Sequence, residues 1–563
     1  MMLNNAAHFI FDSEHLDDIE SKLYGFYITE NGMFSGAIPD EDIIDATGAW
    51  VLVRRTGDSI IIEQDSNGCF GFFIYREGDY WALSNSFNPF LDFLKLDHKL
   101  TLNQDYARTY LAQQLCISAY GETIIREIKW LDRRARIHIN LVTGALTIFY
   151  RRLGEKTILI DTEDGIRLLD AWHDKWAAFI NKAAYSWPGN INVDITGGFD
   201  SRIVLVPFMS SEINYNRVKF NSHLHRTEDY RIASMLAERF GFSLNTNPDS
   251  EKKQEYHPIE SFIDRALEDI LFEKEIYTPN NELPRVPTIG FSGFGGGILR
   301  NYYEEVDCIG YINKTLKLIP KEFKKNKGIR NGIENLLRSS FNDISLMLEQ
   351  SENISLKGGI TALQFYMETR NRSHFAMSIA RSCLSQYYNP AILFDPLLTR
   401  ICTPKNYPLL TDAVIFTRYH QGLINVPIEG GRRIPKKTIK LAEELNRLFP
   451  KKREAVDASS VTKDSITWSV MKNEDDIVNI AESSDKRSMR EQLSNTYESP
   501  LVRNLFEKYL GESSAPWINP DFDKRHPDAN KYATVAIAKV ICDIELGRDA
   551  PKNFAAFLEA CKQ

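Results

Sequence analysis

The stretch Asn192–Arg202, NVDITGGFDSR, gathers the residue types that gripping a phosphate requires. Gly197 and Gly198 let the backbone pass close to a ligand and reach φ values closed to other residues. Thr196 and Ser201 carry hydroxyl donors, and Asp200 carries a carboxylate able to hold Mg²⁺ beside a phosphate. Ile191, Val193 and Ile195 alternate as in a short buried strand, and a helix is expected from about Asp200. Unpaired N–H groups at a helix start, together with its dipole, favour an anion. The Gly-Lys-Ser/Thr of a Walker loop is missing, so this is another kind of phosphate cradle. A strand–Gly-Gly–helix turn taken alone also serves as a plain βα connection.

Three further stretches could take part. NRVKFN, 216–221, reads as the next strand, and parallel βαβ order sets its end, Phe220 and Asn221, beside the turn. His223, His225 and Arg226 follow on a polar loop, read either as solvated or as contacting phosphate or substrate. No cysteine or third histidine lies near them in sequence, which argues against a metal site. TIGFSGFGGGILRNYY, 288–303, runs from a short apolar strand into a second glycine-rich turn holding Ser292 and Gly293, with Arg300 just beyond. VPIEGGRRIPKK, 426–437, sets two glycines and the cations Arg432, Arg433, Lys436 and Lys437 between helical regions. Its plain reading is a solvated basic turn.

T-G-G-F-D-S resembles the S-G-G-x-D-S pyrophosphate loop of the asparagine synthetase family, with Thr196 in the first Ser position. The resemblance implies that Thr196, Gly197, Gly198, Asp200 and Ser201 hold the pyrophosphate of ATP, with Mg²⁺ on Asp200, while a carboxylate attacks the α-phosphate. It puts Phe220 and Asn221 where the family's backbone meets adenine. Ser292, Gly293 and Gly295 are similar to the frame of the family's S-G-x-G-A-D-E. Here Gly297 stands in place of the Asp that reaches the Mg²⁺–pyrophosphate, and Ile298 in place of the Glu. Two outcomes follow. Asp200 suffices, helped by Glu304 or Glu305 or by Arg300 taking phosphate charge, or the site is non-catalytic.

A helix expected over 361–383, followed by YNPAILFDP at 388–396, resembles the family's K-x-D-R-x-S-M…R-x-P-F-L-D layout. That sets Arg370 and Arg372 near the position that touches ATP phosphates, where an arginine fork is suited. Asp395 falls on the final Asp and is read as structural. The basic loop resembles the one whose lysine stabilises charge as an amine attacks the acyl-adenylate. Lys436 is the first choice for that role, then Lys437, with Arg433 beside them.

These groups need a scaffold, and the chain reads as two domains. Over 1–155, WVLVRR, SIIIEQD, GCFGFFIYR and YWALSN are short strands parted by hairpin signals, and Tyr106–Gln114 looks helical. Asp65–Tyr75 and Gly121–Arg133 resemble parts of the family's N-terminal-nucleophile glutaminase, an α+β sandwich. That enzyme works through a cysteine at position 2. This sequence begins Met1-Met2-Leu3 and its first cysteine is Cys69, so the domain is expected to keep the fold without releasing ammonia from glutamine. Over 160–563 an α/β pyrophosphate-loop synthetase domain with a helical C-terminal part is expected. In it, 164–186 and Thr227–Phe240 are amphipathic helices. Thr227 is read as the N-cap of the second, and Asp229 as compensating its dipole. KEFKKNK, 321–327, reads as a solvated helix face. The polar stretch 452–499 reads as a mobile insertion, and 530–546 as a closing helix.

Composition agrees with an ordinary globular protein: 43% hydrophobic and 26% charged over 563 residues. A net charge of −8 gives no support to nucleic-acid binding. The sequence shows neither a signal-peptide pattern nor an apolar run of the ~20 residues that span a bilayer. Seven scattered cysteines fit a reducing cytoplasm. The resemblance implies an ATP-dependent, AMP-forming carbon–nitrogen ligase. It would adenylate a small-molecule or peptide carboxylate and join it to an amine or ammonia, with a partner enzyme of the same pathway in view. Among relatives that join an amine already in the substrate are β-lactam synthetases, lasso-peptide cyclases and surface-polysaccharide amidating enzymes, and Thr196 and Arg202 look more like the last two groups. A catalytically silent partner and a tRNA-modifying pyrophosphate-loop enzyme remain as alternatives.

Overall fold

The computed structural model describes residues 9–29, 32–112, 119–211, 213–224, 226–245, 286–300, 307–318, 325–353, 362–384, 386–451, 467–468, 496, 499–510, 529–551 and 554–561. Its first strands are β1 (Ile10–Asp12), β2 (Lys22–Thr29), β3 (Gly32–Ser35), β4 (Thr47–Thr56), β5 (Ser59–Gln64), β6 (Phe73–Glu77), β7 (Tyr80–Ser84), β8 (Ile128–Trp130), β9 (Ala135–Asn140) and β10 (Leu146–Tyr150). They form two antiparallel sheets, β1-β7-β6-β8 and β10-β9-β5-β4-β2-β3. Gly57 (φ +55) and Gly78 (φ +59) open the two-residue turns that join β4 to β5 and β6 to β7, where a side chain would be strained. Alternation along β5 and β9 sends Ile60, Ile62, Ile137 and Ile139 inward to the same core as Ile74 and Leu83 of the other sheet. Helices α1 (Phe87–Leu94) and α2 (Gln104–Ala112) share a second core with Phe73 and Tyr75.

Cys69, in the turn between β5 and β6, is buried, and its N–H donates to Asp65 Oδ2 at 3.1 Å. Burial and then the Asp65 carboxylate push its thiol well above the usual cysteine range.

The chain leaves these sheets through β11 (Ile158–Leu159), which pairs in parallel with Ile401–Cys402. Helix α3 (Glu163–Ser186) follows, its start fixed by Thr162, whose hydroxyl accepts from Gly165 N–H at 3.2 Å. Leu169, Trp172, Trp176, Phe179, Ile180 and Ala183 form its buried stripe. The Trp176 indole donates to the fully buried Asp395, which also accepts from Lys175 and from Thr47 on β4. One carboxylate thus ties α3, an N-terminal strand and the short helix Pro396–Thr399, whose Leu397 N–H it caps.

A second sheet system holds β12 (Asn190–Asp194), β13 (Val218–Asn221), β14 (Thr288–Phe291) and β15 (Tyr387–Tyr388), all parallel and ordered β13-β12-β14-β15. Helix α4 (Phe199–Met209) follows β12 and α5 (Thr227–Phe240) follows β13. The single helix expected over 361–383 is broken. Ala362–Glu368 and Met377–Leu384 are α-helical, and Arg372–Ala376 between them is a π turn. The closing helix runs Ala529–Leu546 and shares the core of α1 and α2. Most of 452–499 lies outside the described residues. Thr467–Trp468, within it, adds a parallel strand to the β3 edge of the first sheet. Residues 321–324 of the expected basic face also lie outside. Among the described residues no helix is long and apolar enough to cross a membrane.

Candidate functional site

Strand order turns round between β12 and β14. β13 lies on one side of β12, while β14 and β15 lie on the other. Loops leaving the C-terminal ends of two such strands diverge and open a crevice, where open α/β sheets take ligands. The loops here are the two glycine-rich turns, 195–198 and 292–296.

The first turn is closed on itself. Ser201 Oγ accepts from Thr196 N–H at 3.1 Å and lies 3.1 Å from Thr196 Oγ1, which accepts from Gly198 N–H at 3.3 Å. Gly197 N–H donates to Asp229 Oδ1 at 2.8 Å. Asp229 therefore braces the turn, a role beyond the dipole compensation expected from its place in the first turn of α5. Gly198 caps α4 with no side-chain bond, so the first N–H groups of α4 have no intrahelical acceptor.

The two turns touch at Asp200. A Cβ on Gly293 would stand 2.7 Å from Asp200 Cβ, and one on Gly296 2.2 Å from Asp200 Cγ, so both positions demand glycine. Ser292 is buried and accepts from Asn389 Nδ2 at 2.8 Å, which ties the second turn to the loop after β15. Gly297, where the resembled family has its Asp, faces open space.

Arg300 lies under this junction. Its Nη1 pairs with Asp200 Oδ1, while Nε and Nη2 donate to Asp412 Oδ1 at 3.1 and 3.0 Å. Asp412 is wholly buried; burial pushes its carboxyl up, and Arg300 offsets part of that. Arg300 also lies 5.0 Å from the centre of the Phe199 ring, with Arg432 at 5.7 Å from the same ring. The described residues do not fit an Mg²⁺ bridging Asp200 to a phosphate. A guanidinium holds the Asp200 oxygen, position 297 offers no carboxylate, and Asp412 is bound to the same guanidinium. No cluster of three metal-ligating side chains exists among the described residues. Glu304 and Glu305 lie outside them.

The basic loop docks onto the first turn. Glu429 N–H donates to Gly197 O at 3.0 Å, and Gly430 N–H to Glu228 Oε1 at 3.1 Å. Arg202, fully buried on α4, forks onto the loop's backbone. Its Nη1 donates to Leu423 O at 3.1 Å and Val426 O at 2.7 Å, and its Nη2 to Pro427 O. Burial pulls its pKa down to about 10. Arg433, Lys436 and Lys437 are exposed beyond the docked turn, and Lys437 Nζ lies 5.5 Å from the Tyr407 ring centre. Arg432, rather than Arg433, reaches back to Phe199.

One expected position is corrected. Arg372 is fully buried over the Trp130 ring at 3.8 Å and donates to Leu131 O at 2.8 Å, contacts that belong to the N-terminal sheets. The π turn that interrupts its helix hands it to the β8 side. The Phe220 ring belongs to the core, packed on Phe242 at 4.3 Å and Phe208 at 6.2 Å. Asn221 stays at the strand end, where its Oδ1 accepts from Asn245 Nδ2 at 2.9 Å. Neighbouring Asp194, the last residue of β12, has its carboxyl pushed up to about 6 by burial, with Asn221 offsetting part of the rise. Asp412 is the site's unforeseen member, and Arg202, Asp229 and Arg432, each noted in the sequence, make contacts not expected of them. Asp412 had a signal: it is a lone acid inside the apolar run LTDAVIF.

Compared with protein-family models and with curated proteins, the chain gives no match.

Proposed function

We propose that the chain is an ATP-dependent, AMP-forming amide ligase of the asparagine-synthetase type. It would adenylate a carboxylate, release pyrophosphate and pass the acyl group to an amine or ammonia. One observation carries this: both glycine-rich turns leave parallel strands at the point where strand order reverses, with the start of α4 between them and a basic loop docked on top. A helix start, a turn stripped of side chains and two guanidinium groups suit a pyrophosphate. In this reading 1–155 is a glutaminase-like domain without its nucleophile and 160–563 is the synthetase. Thr196, Gly197, Gly198 and Ser201 shape the phosphate cradle, and Arg300 and Arg432 take phosphate charge. Arg433, Lys436 and Lys437 lie on the rim, where charge develops as the amine attacks. ATP as substrate suits the cytoplasm.

The test is isotope exchange between ATP and pyrophosphate across a panel of amino, peptide and sugar acids, with nucleotide binding measured alongside. Exchange with one class of acid supports the ligase. Nucleotide binding without exchange supports a second reading, a silent partner in a biosynthetic complex, which Gly297 and the Asp200–Arg300 pair favour. A chain that binds no adenine nucleotide sinks both.

A further inference from the structure

We propose that Ser210 is the nucleophile of a second site, with His173 taking its proton, Asp174 positioning that imidazole, and a small acyl ester as substrate. The site lies at the far end of α4 from the phosphate turn and is independent of the nucleotide reading.

Ser210 caps the C-terminal end of α4 and is exposed. Two imidazoles converge on its hydroxyl. His173 Nε2, on α3, lies 2.8 Å from Ser210 Oγ, and His420 Nε2, just past the helix Leu410–Tyr419, lies 3.2 Å from it. His173 Nδ1 is 2.8 Å from Asp174 Oδ1. With Nδ1–H donating to that carboxylate, the Nε2 lone pair faces the serine, and Ser210 Oγ accepts from His420 Nε2–H. Lys451 Nζ donates to the same Asp174 oxygen at 2.5 Å and lies 3.2 Å from His173 Nδ1. In the other tautomer of His173 the hydroxyl turns to the lone pair of His420. Either way an imidazole receives the serine proton. A hydroxyl within reach of a base, the base held by a third group, is the arrangement that activates a serine.

The surroundings suit the transfer. Burial lowers the pKa of both imidazoles, so both are neutral and able to accept at neutral pH. The His173 ring is fixed by stacking on Tyr419 at 3.9 Å, whose hydroxyl donates to Asp170 at 2.7 Å. The imidazolium that forms lies at the C-terminal ends of α4 and of Leu410–Tyr419, where carbonyl dipoles favour a cation. Phe240, 6.5 Å from the His420 ring, gives the opening an apolar side fit for an uncharged ester.

In the reaction, Ser210 Oγ attacks the ester carbonyl carbon as its proton passes to His173 Nε2. The alcohol leaves with the bonding pair and takes that proton. Water, deprotonated by the same imidazole, then frees the acid and restores the serine.

The test treats the full chain with a fluorophosphonate probe and with 4-nitrophenyl acetate. Expected are covalent labelling that peptide mass spectrometry places on Ser210, and ester turnover above background. Ser210→Ala should abolish the labelling and the turnover while melting as the wild type does, because the position is exposed. His173→Gln should slow turnover by roughly a hundredfold or more, the scale of general-base catalysis. Asp174→Asn should lower kcat by about tenfold with KM unchanged, as a positioning residue does. A wild type that is not labelled, a label on another residue, or turnover that survives Ser210→Ala overturns the inference. The wild-type and Ser210→Ala measurements decide it even if His173→Gln does not fold.

Discussion

Gly197 and Gly198 are neighbours with different duties. A Cβ on Gly197 would come within 2.9 Å of Ile232 Cδ1 and 3.0 Å of both Asp229 Oδ1 and Glu429 Cβ, so α5 and the docked basic loop must move. One on Gly198 would meet only Thr196 Oγ1, at an ordinary 3.4 Å, and neither glycine has a positive φ. Gly197→Ala should therefore cost roughly 1–3 kcal/mol of stability, as overpacking does. Gly198→Ala should fold with its stability within about 0.5 kcal/mol of wild type. It should still weaken pyrophosphate binding by about tenfold, since its methyl stands beside the first free N–H groups of α4. Chemical denaturation and calorimetry on the two variants check this. Equal stability in both would count against the close packing at Gly197, and unchanged affinity in Gly198→Ala against a phosphate seated in the turn.

At the scale of elements, the site depends on holding the loop 423–431 against the turn after β12. Arg202 does this from inside, spending its fork on carbonyls of Leu423, Val426 and Pro427 rather than on any acid. Arg202→Met keeps the bulk and removes these donors, so the loop should loosen while the sheet stays intact. Amide hydrogen exchange over 423–431 should quicken, and ATP affinity should fall by roughly tenfold, with a stability cost of about 1–3 kcal/mol. Unchanged exchange there would mean that Glu429 and Gly430 hold the loop unaided. How legible all this was in the sequence follows from the range of each interaction. The strand and helix around 192–202 could be read because alternation, a glycine pair and an apolar helix face are local signals. The structure sets them at Asn190–Asp194 and Phe199–Met209. The partner of Arg300 could not be read, because Asp412 lies 112 residues away and only the fold joins them. Arg372 misled because its spacing presumes a regular helix. A π turn changes which face a residue occupies, and nothing in RNRSHFA announces one. Strand order was equally hidden, since β15 is only two residues long.

For the whole molecule, the question is what couples the antiparallel sheets to the site-bearing half. Apolar contacts are shared: α1 and α2 lie in one core with helices Lys327–Glu352 and Ala529–Leu546. Across the same boundary runs a buried ion network. Arg133 and Arg134, leaving β8, reach Glu368 at 2.8 Å each; Arg134 also reaches Glu352 at 3.1 Å, and Arg133 pairs with Glu155. Such a network is weak support for net stability but is costly to break, since removing one member leaves the others buried and unmatched. Burial alone would push the Glu368 carboxyl up; the two guanidinium groups more than offset this and hold it well below the ordinary range. A carboxylate depressed in the folded state stabilises the fold fully above its unfolded value of about 4.3, and loses that contribution as pH falls toward its folded value. Glu368→Gln should therefore cost about 3 kcal/mol or more at neutral pH, because two buried cations lose their shared anion. The gap between variant and wild type should then narrow as pH drops below about 4.3, where wild-type Glu368 begins to protonate in the unfolded chain. Urea titrations from neutral to acid pH measure both. A gap that stayed constant with pH would show that Glu368 acts through shape alone, and the joint between the two halves would then rest on its apolar core.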